Sequence, residues 1–282
     1  HKLRNLVASK TSALRWLSGL LLAGGEDVAE EDKELSTKLE ARLPQDSMLT
    51  IEHFSGHLFQ EMPLRWRRTV LKLTLLDEVP LALAKQLAEI SDIEGALDYL
   101  WRHNFFVGRD SGSTDCYHFQ QELRDRLRRQ AAVDLPDQEW EEVRLVAAEW
   151  YRQQGKALIA LSYLLRAELY SEAELLLSQH GPMLISGEQL PGLTELMKKI
   201  PERVAVKRGW MALFSGISMY QYQPKEAEGW LELARTLFVS NSEGRGELLT
   251  LVQQVLQSLI VDGRLDLVRE SLPRLEELLE QY

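Results

Sequence analysis

Apolar residues in the C-terminal half recur at helical spacing. Val143, Val146, Ala147, Trp150 and Tyr151 fall at i, i+3, i+4, i+7 and i+8, the apolar stripe of one α-helix. Gly155 follows at a position suited to a C′ stop, where a glycine takes the left-handed backbone. Leu248, Leu251, Val252, Val255 and Leu259 keep the same period, as do Val268, Leu272, Leu275 and Leu279. The pattern predicts further helices over 157–167, 170–180, 189–199, 203–221, 224–239, 245–261 and 264–281. Short links between helices of similar length force antiparallel neighbours, and stacked pairs build a superhelix. Residues 133–282 are therefore expected to form a tetratricopeptide-like helical repeat domain. The repeats share little identity, so the array is degenerate.

Between 46 and 132 the rhythm changes. Ile51–Met62 and Leu64–Leu76 have helical spacing with Pro63 between them, and Pro80–Ile90 opens on a proline suited to the first helical position. Ile93–His103 is predicted as a further helix with Asp92 as its N-cap. Phe105–Val107 and Cys116–Phe119 are short aromatic and β-branched runs around the turn residues Gly108–Asp115, the pattern of a β-hairpin. A helix over Gln120–Ala131 leads out. Helices followed by one hairpin make a winged helix-turn-helix. Residues 1–45 hold an amphipathic helix around Ser12–Leu22, an acidic run Glu26–Glu34 and a short helix before Pro44. That segment has too little apolar surface for a domain and is expected to be the end of an upstream helical one. The fold class expected is mainly α: a winged-helix unit with one small β-hairpin, then a tetratricopeptide-like α-superhelix.

Composition narrows the function. The chain is 45% hydrophobic, which places it among globular proteins. Its net charge of −10 is uneven, for residues 133–282 carry 23 acidic against 15 basic side chains. An anionic surface of that kind repels phosphate backbones, which argues against nucleic acid as a partner of that half. Cys116 is the single cysteine, which excludes an internal disulfide framework and fits a reducing cytoplasm. No run approaches the roughly 20 apolar residues of a spanning helix, and Trp16–Gly25 only loosely imitates a signal peptide. A cytoplasmic protein with no membrane partner is expected. Because the chain begins at His1, further chain is expected upstream.

The search for chemistry returns mostly exclusions. No Gly-x-x-x-x-Gly-Lys-Ser/Thr phosphate loop occurs, so the chain is not expected to be an enzyme or to hold a cofactor itself. His53 and His57 lie four apart with Glu61 a turn further on, but no other ligand cluster joins them, and no metal site is assigned. No Ser/His/Asp or Cys/His arrangement stands out. Two basic clusters, Arg65, Arg67, Arg68 and Lys72, then Arg124, Arg126, Arg128 and Arg129, invite a DNA-binding reading of the winged helix. The helix that would enter the major groove, Pro80–Ile90, has Lys85 as its one cation, whereas groove readers need polar and basic side chains. A structural winged helix is favoured, its arginines pairing with neighbouring domains. Trp210, Tyr220, Tyr222 and Trp230 are the candidates for lining a ligand or partner groove in the superhelix.

A family resemblance sharpens this outline. Ala147, Ala148, Trp150, Tyr151, Gly155, Ala160, Ala167, Ala173, Leu176, Leu177, His180 and Gly181 fill, without a gap, a pattern that resembles the first sensor repeats of MalT-like regulators. These are LuxR-type transcription regulators of the STAND class of signal-responsive ATPases. Tyr117–Leu127 resembles the segment closing the winged helix in that family, and Leu196–Glu202 with Glu226–Glu228 resembles the next repeat. The resemblance covers roughly 46–240. One position departs from it. Gln120 stands where such proteins often carry a histidine that, in the wider class, senses the β-phosphate of bound ADP. A glutamine donates a hydrogen bond to phosphate but carries no positive charge. His118 is not at the equivalent position.

The resemblance implies the signal-sensing and transmission portion of an ATP-dependent bacterial regulator. Its superhelix would bind an inducer or regulatory protein, and ATP or ADP would belong to an upstream nucleotide-binding domain. DNA would be bound only through a domain beyond Tyr282. Two alternatives stand beside this: a free-standing helical-repeat scaffold for protein–protein interaction, and a winged-helix DNA binder.

Overall fold

The computed structural model describes residues 64–102, 107–109, 116–259 and 265–281. The segments 1–45 and Ile51–Met62, with His53, His57 and Glu61, lie outside the described residues, as do Phe105 and Phe106. The chain divides into two compact units between Val146 and Ala147.

In the first unit, α1 (Leu64–Thr74) is followed by β1 (Val79–Pro80), α2 (Leu81–Leu87), α3 (Ile93–Arg102), β2 (Val107–Arg109), β3 (Cys116–Phe119) and α4 (Gln121–Asp134). A helix α5 (Asp137–Gln153) carries the division between the units. The expected hairpin is present, with Val107 opposite Phe119 and Arg109 opposite Tyr117 in antiparallel register. It is widened by a third strand, because Val79 pairs with Tyr117 and Pro80 with Cys116, giving the order β1-β3-β2. Pro80 is thus not the first residue of a helix but an extended one, at φ −61° and ψ 133°. The proline ring also pushes the preceding Val79 toward the β region, which suits it to an edge strand. The helix behind it stops at Leu87 and not at Ile90, with Ala88 extended. Leu73, Leu76, Val79, Leu83, Ala84 and Leu97 are buried in this unit, as is the sheet residue Tyr117.

The second unit is helical throughout its described residues: α6 (Ala157–Arg166), α7 (Tyr170–Leu184), a short 3₁₀ turn Gly187–Gln189, α8 (Leu190–Met197), α9 (Glu202–Ala205), α10 (Gly209–Met219), α11 (Pro224–Ser240), α12 (Gly244–Gln257) and α13 (Leu265–Leu279). Packing runs mainly between chain neighbours: α6 on α7, α10 on α11, α11 on α12 and α12 on α13. Tyr151 of α5 stacks on Tyr163 of α6 at 5.7 Å and 9°, both rings buried. The end of α5 follows from its glycine. Gly155 has φ 71°, Lys156 N–H donates to Tyr151 O at 2.9 Å, and Gly155 N–H donates to Arg152 O at 3.0 Å, which is a Schellman stop. The same pair of bonds closes α6 at Glu168 (φ 56°) and α11 at Ser242 (φ 56°). Neither residue advertises a left-handed backbone, so these stops are invisible to composition.

Two expected helices differ in extent. The helix placed at 203–221 is broken: α9 ends at Ala205, Arg208 is extended at φ −131°, and α10 starts at Gly209. Arg208 turns out to pair with Glu174 at 2.8 Å and to donate to Ser171 at 3.2 Å, anchoring the bend to α7. Conversely α7 runs through Gly181 and Pro182 to Leu184. Gly181 is needed inside the helix because a Cβ there would collide with the ring of Phe214 on α10.

Candidate functional site

Two groups of residues bear on function, one in each unit. In the winged helix, Arg68 and Lys72 of the first basic cluster and Arg124 and Arg128 of the second are spent on the unit's own acids and carbonyls. Lys72 on α1 contacts Glu89 at 2.7 Å and Glu139, in the first turn of α5, at 3.3 Å. Arg68, one turn earlier, pairs with the same two carboxylates. Burial pushes the Glu139 carboxyl up, but hydrogen bonds from Arg68 and Lys72 outweigh it and hold it below the usual carboxylate range. Burial likewise works against the Lys72 ammonium, and its bonds to Glu89 and Glu139 raise it regardless. Lys85, on the helix that would face a groove, pairs with Glu94 at 2.8 Å. Arg109 lies over the rings of Trp101 and Tyr117 at 5.5 and 5.4 Å and pairs with Asp98 at 3.0 Å.

Arg128 of α4 does structural work at the end of α1. Its Nε donates to Thr74 O at 2.7 Å, and its Nη2 reaches Leu75 O and Leu76 O at 3.3 Å and Asp77 at 3.1 Å. The last carbonyls of a helix have no partner within it, and one guanidinium supplies several here. Replacing Arg128 with alanine is expected to cost about 1–2 kcal/mol, and lysine is expected to recover less than half, because a point charge cannot fork. Urea unfolding of the two variants reads this difference; equal stability of Arg128→Lys and the parent would contradict it.

Gln120 is exposed and extended (φ −60°, ψ 145°) just before α4. Its carbonyl accepts from Arg124 N–H at 2.9 Å, and its side chain makes no capping bond. The carboxamide is therefore presented outward at a helix N-terminus, a place with an electrostatic preference for anions. His118 is also exposed, opposite Gly108 in the hairpin.

In the helical array the four aromatic candidates separate. Trp210 is 3% exposed; it meets Phe238 edge-on at 5.2 Å and Phe214 at 6.3 Å, and its indole N–H donates to Glu243. That ring offers no face to a ligand. Tyr220 is half-buried, its hydroxyl donating to Gln257 O at 3.4 Å, and Trp230 is half-buried on α11. Tyr222 is 73% exposed and forms one wall of a cavity of about 290 Å³ with Met197, Met219, Ser215 and Ser218. The structure thus does not gather the four aromatics into one groove. Ser218 was not singled out from sequence; its hydroxyl is buried without a hydrogen-bond partner, a situation that costs about 1–3 kcal/mol.

A larger hollow of about 660 Å³ lies between α11, α12 and α13, lined by Lys225, Glu228, Arg235, Gln254 and Glu270 among others. Between α12 and α13, Glu247, 3% exposed, receives two hydrogen bonds from Arg274 at 2.9 and 2.7 Å. Those bonds hold its carboxyl below the usual range against the effect of burial. Among the described residues no cluster of three metal-ligating side chains occurs, and no helix is long and apolar enough to cross a membrane.

Comparison with known proteins bears on the first unit. Residues 55–139 match the family model of the MalT winged helix domain. No curated protein matches the chain. The matched segment contains every strand of the sheet and ends on Glu139, the last member of the ion cluster. The match supports a MalT-like transcriptional regulator as the kind of protein of which this segment is part.

Proposed function

We propose that the chain is the signal-sensing and transmission portion of an ATP-dependent bacterial transcription regulator of the STAND class. The helical array binds an inducer or a regulatory protein. The winged helix passes that event to a nucleotide-binding domain of the same protein, where ATP or ADP is held. DNA is engaged elsewhere in the regulator, in the cytoplasm.

The observation that carries this reading is the match of residues 55–139 to a regulator's winged helix, on a unit in which Arg68, Lys72, Lys85 and Arg128 are paired with its own carboxylates. Non-specific DNA binding rests on freely available Lys and Arg contacts to phosphate. Here Arg68, Lys72, Lys85 and Arg128 have carboxylate partners within the unit. A winged helix so arranged is suited to packing against protein. The outward carboxamide of Gln120 remains available for a phosphate oxygen, with a hydrogen bond but no charge. Coupling between the array and the nucleotide site requires that the ligand favour one of two packings of the winged helix.

Two measurements test the proposal. The purified chain is expected to give no shift of a random duplex at low salt up to about 100 µM, whereas a salt-dependent shift would favour the DNA binder. In the natural full-length protein, deleting residues 147–282 is expected to change the rate of ADP release several-fold. An unchanged rate would remove the sensing role and leave a scaffold.

A further inference from the structure

We propose that the cavity bounded by Met197, Met219, Tyr222 and Ser218 is a binding site for a small single-ring aromatic molecule carrying a hydroxyl group. Its meaning as an inducer site rests on the sensing role of the helical array; binding itself does not.

Size sets the first limit. The cavity measures about 290 Å³, at the lower edge of the roughly 300–1,000 Å³ typical of small-molecule pockets. An apolar cavity of about 150 Å³ already accepts benzene, so this one accommodates a ring with a substituent and little more. Its walls come from α8, α10 and the link to α11.

The walls set the chemistry. Met197 is buried on α8 and Met219 half-buried at the end of α10. Two thioethers facing one space make a polarizable, adaptable lining that favours aromatic rings through sulfur–ring contacts. Tyr222 adds an exposed ring, with the Lys198 ammonium 6.0 Å from its centroid. Lys198 is the single charged group of the lining, and Glu195 holds it at 2.7 Å. The cavity therefore makes no demand for a strongly charged ligand.

Ser218 supplies the polar anchor. Serines and threonines inside the other helices turn their hydroxyls back onto the preceding turn: Thr194 donates to Leu190 O at 2.9 Å, Thr250 to Gly246 O at 2.8 Å, and Ser258 to Gln254 O at 2.9 Å. Ser218, 5% exposed, does not, and its hydroxyl has no partner. A hydroxyl both donates and accepts, so once a turn of χ1 brings the buried Ser218 Oγ to the cavity wall, a phenolic oxygen satisfies it in either sense. An open cavity with two thioethers and a tyrosine ring on its apolar side, and Thr194, Ser215, Ser218 and Gln223 on its polar side, is complementary to a phenol and less so to a hydrocarbon or a sugar.

The test uses the 282-residue chain with ¹³C-labelled methionine methyls and phenol, toluene and glucose as probes. Of the six methionines, Met197 and Met219 alone are expected to shift in a saturable way with phenol, with a Kd of about 1 mM or below. Toluene is expected to bind at least about threefold more weakly, and glucose not at all. Ser218→Ala is expected to weaken phenol about three- to tenfold and to leave toluene unchanged. Shifts that stay linear, or that appear equally at all six methyls, overturn the site. A Ser218→Ala variant that binds phenol as well as the parent overturns the anchor. A failed phenol titration with an intact effect of array deletion on ADP release rejects this ligand class alone. A lost deletion effect with phenol still bound rejects the sensing role alone.

Discussion

Replacing Phe238 with alanine is expected to destabilise the helical array by about 3–5 kcal/mol, the top of the range for a single buried side chain. The ring is fully buried on α11 and meets Trp210 edge-on. It is also enclosed by two glycines. A Cβ at Gly209, where α10 begins, or at Gly246, in the first turn of α12, would run into the Phe238 ring. Three successive helices thus close around one side chain, and their approach is set by the absence of two methyl groups. This makes a sharper expectation than the loss alone. Gly246→Ala in the parent protein forces the ring to move and is expected to cost about 1–3 kcal/mol. In the Phe238→Ala background the added methyl enters vacated space, and alanine is the better helix former by about 1 kcal/mol. The second substitution should then be neutral or stabilising. Urea unfolding of the two single variants and the double variant measures the coupling, expected at about 1–3 kcal/mol. Additive losses would show that the glycines are not there for the ring.

The periodicity of apolar positions located the helices well because each must bury one face, and burial repeats with the helical turn. It could not show how they end. Gly155 marks its stop, whereas Glu168 and Ser242 adopt the same left-handed backbone without a glycine, held there by Schellman bonds. Gly181-Pro182 looks like a terminus, yet the helix continues because Phe214 needs the missing Cβ. Arg208 sits in an apparently helical run and leaves it for a partner 34 residues away. In each case the deciding contact is distant in sequence.

The candidate sites were legible to different degrees for the same reason. A wing is announced by its turn residues, but the pairing of Val79 with Tyr117 is a long-range fact, and the third strand was not foreseen. The two arginine clusters were visible, and the pairing of Arg68 was not, since Glu139 lies 71 residues from it. Tyr222 was singled out as an aromatic and does line a cavity, whereas Trp210, chosen by the same criterion, fills the core. Residue type alone does not separate an aromatic that packs in the core from one that lines a cavity. Ser218 carries no sequence signal at all: an unpaired hydroxyl is a property of its surroundings.

Glu139→Gln is expected to be the most damaging change among the ion pairs of the winged-helix unit, at about 2–3 kcal/mol. Removing one member of a buried ion pair costs roughly 3–5 kcal/mol, because the other charge stays buried. The side chains of Glu139 and Lys72 are 13% and 14% exposed, but Arg68 is 48% exposed, and Glu89 remains as a second partner for both cations. The loss is therefore discounted from the fully buried case. Its pH dependence has a definite sign. The carboxyl of Glu139 is held below its ordinary value in the folded chain, so its contribution is complete above the unfolded value of about 4.3 and disappears as pH falls through the folded one. Stability of the parent should drop across that acidic window more steeply than that of Glu139→Gln, and the two curves should converge at low pH. Lys72→Met in place of Glu139→Gln is expected to be less harmful, since Arg68 still reaches Glu139 and a methionine fills the space of the stem. The double variant should recover part of the loss, because the part-buried Lys72 ammonium, left with Glu89 as its one carboxylate, is then removed as well. Denaturant unfolding of the four proteins between pH 3 and about 7 decides the matter. Parallel pH curves for parent and Glu139→Gln would mean that Glu139 fastens α5 by packing and not by charge.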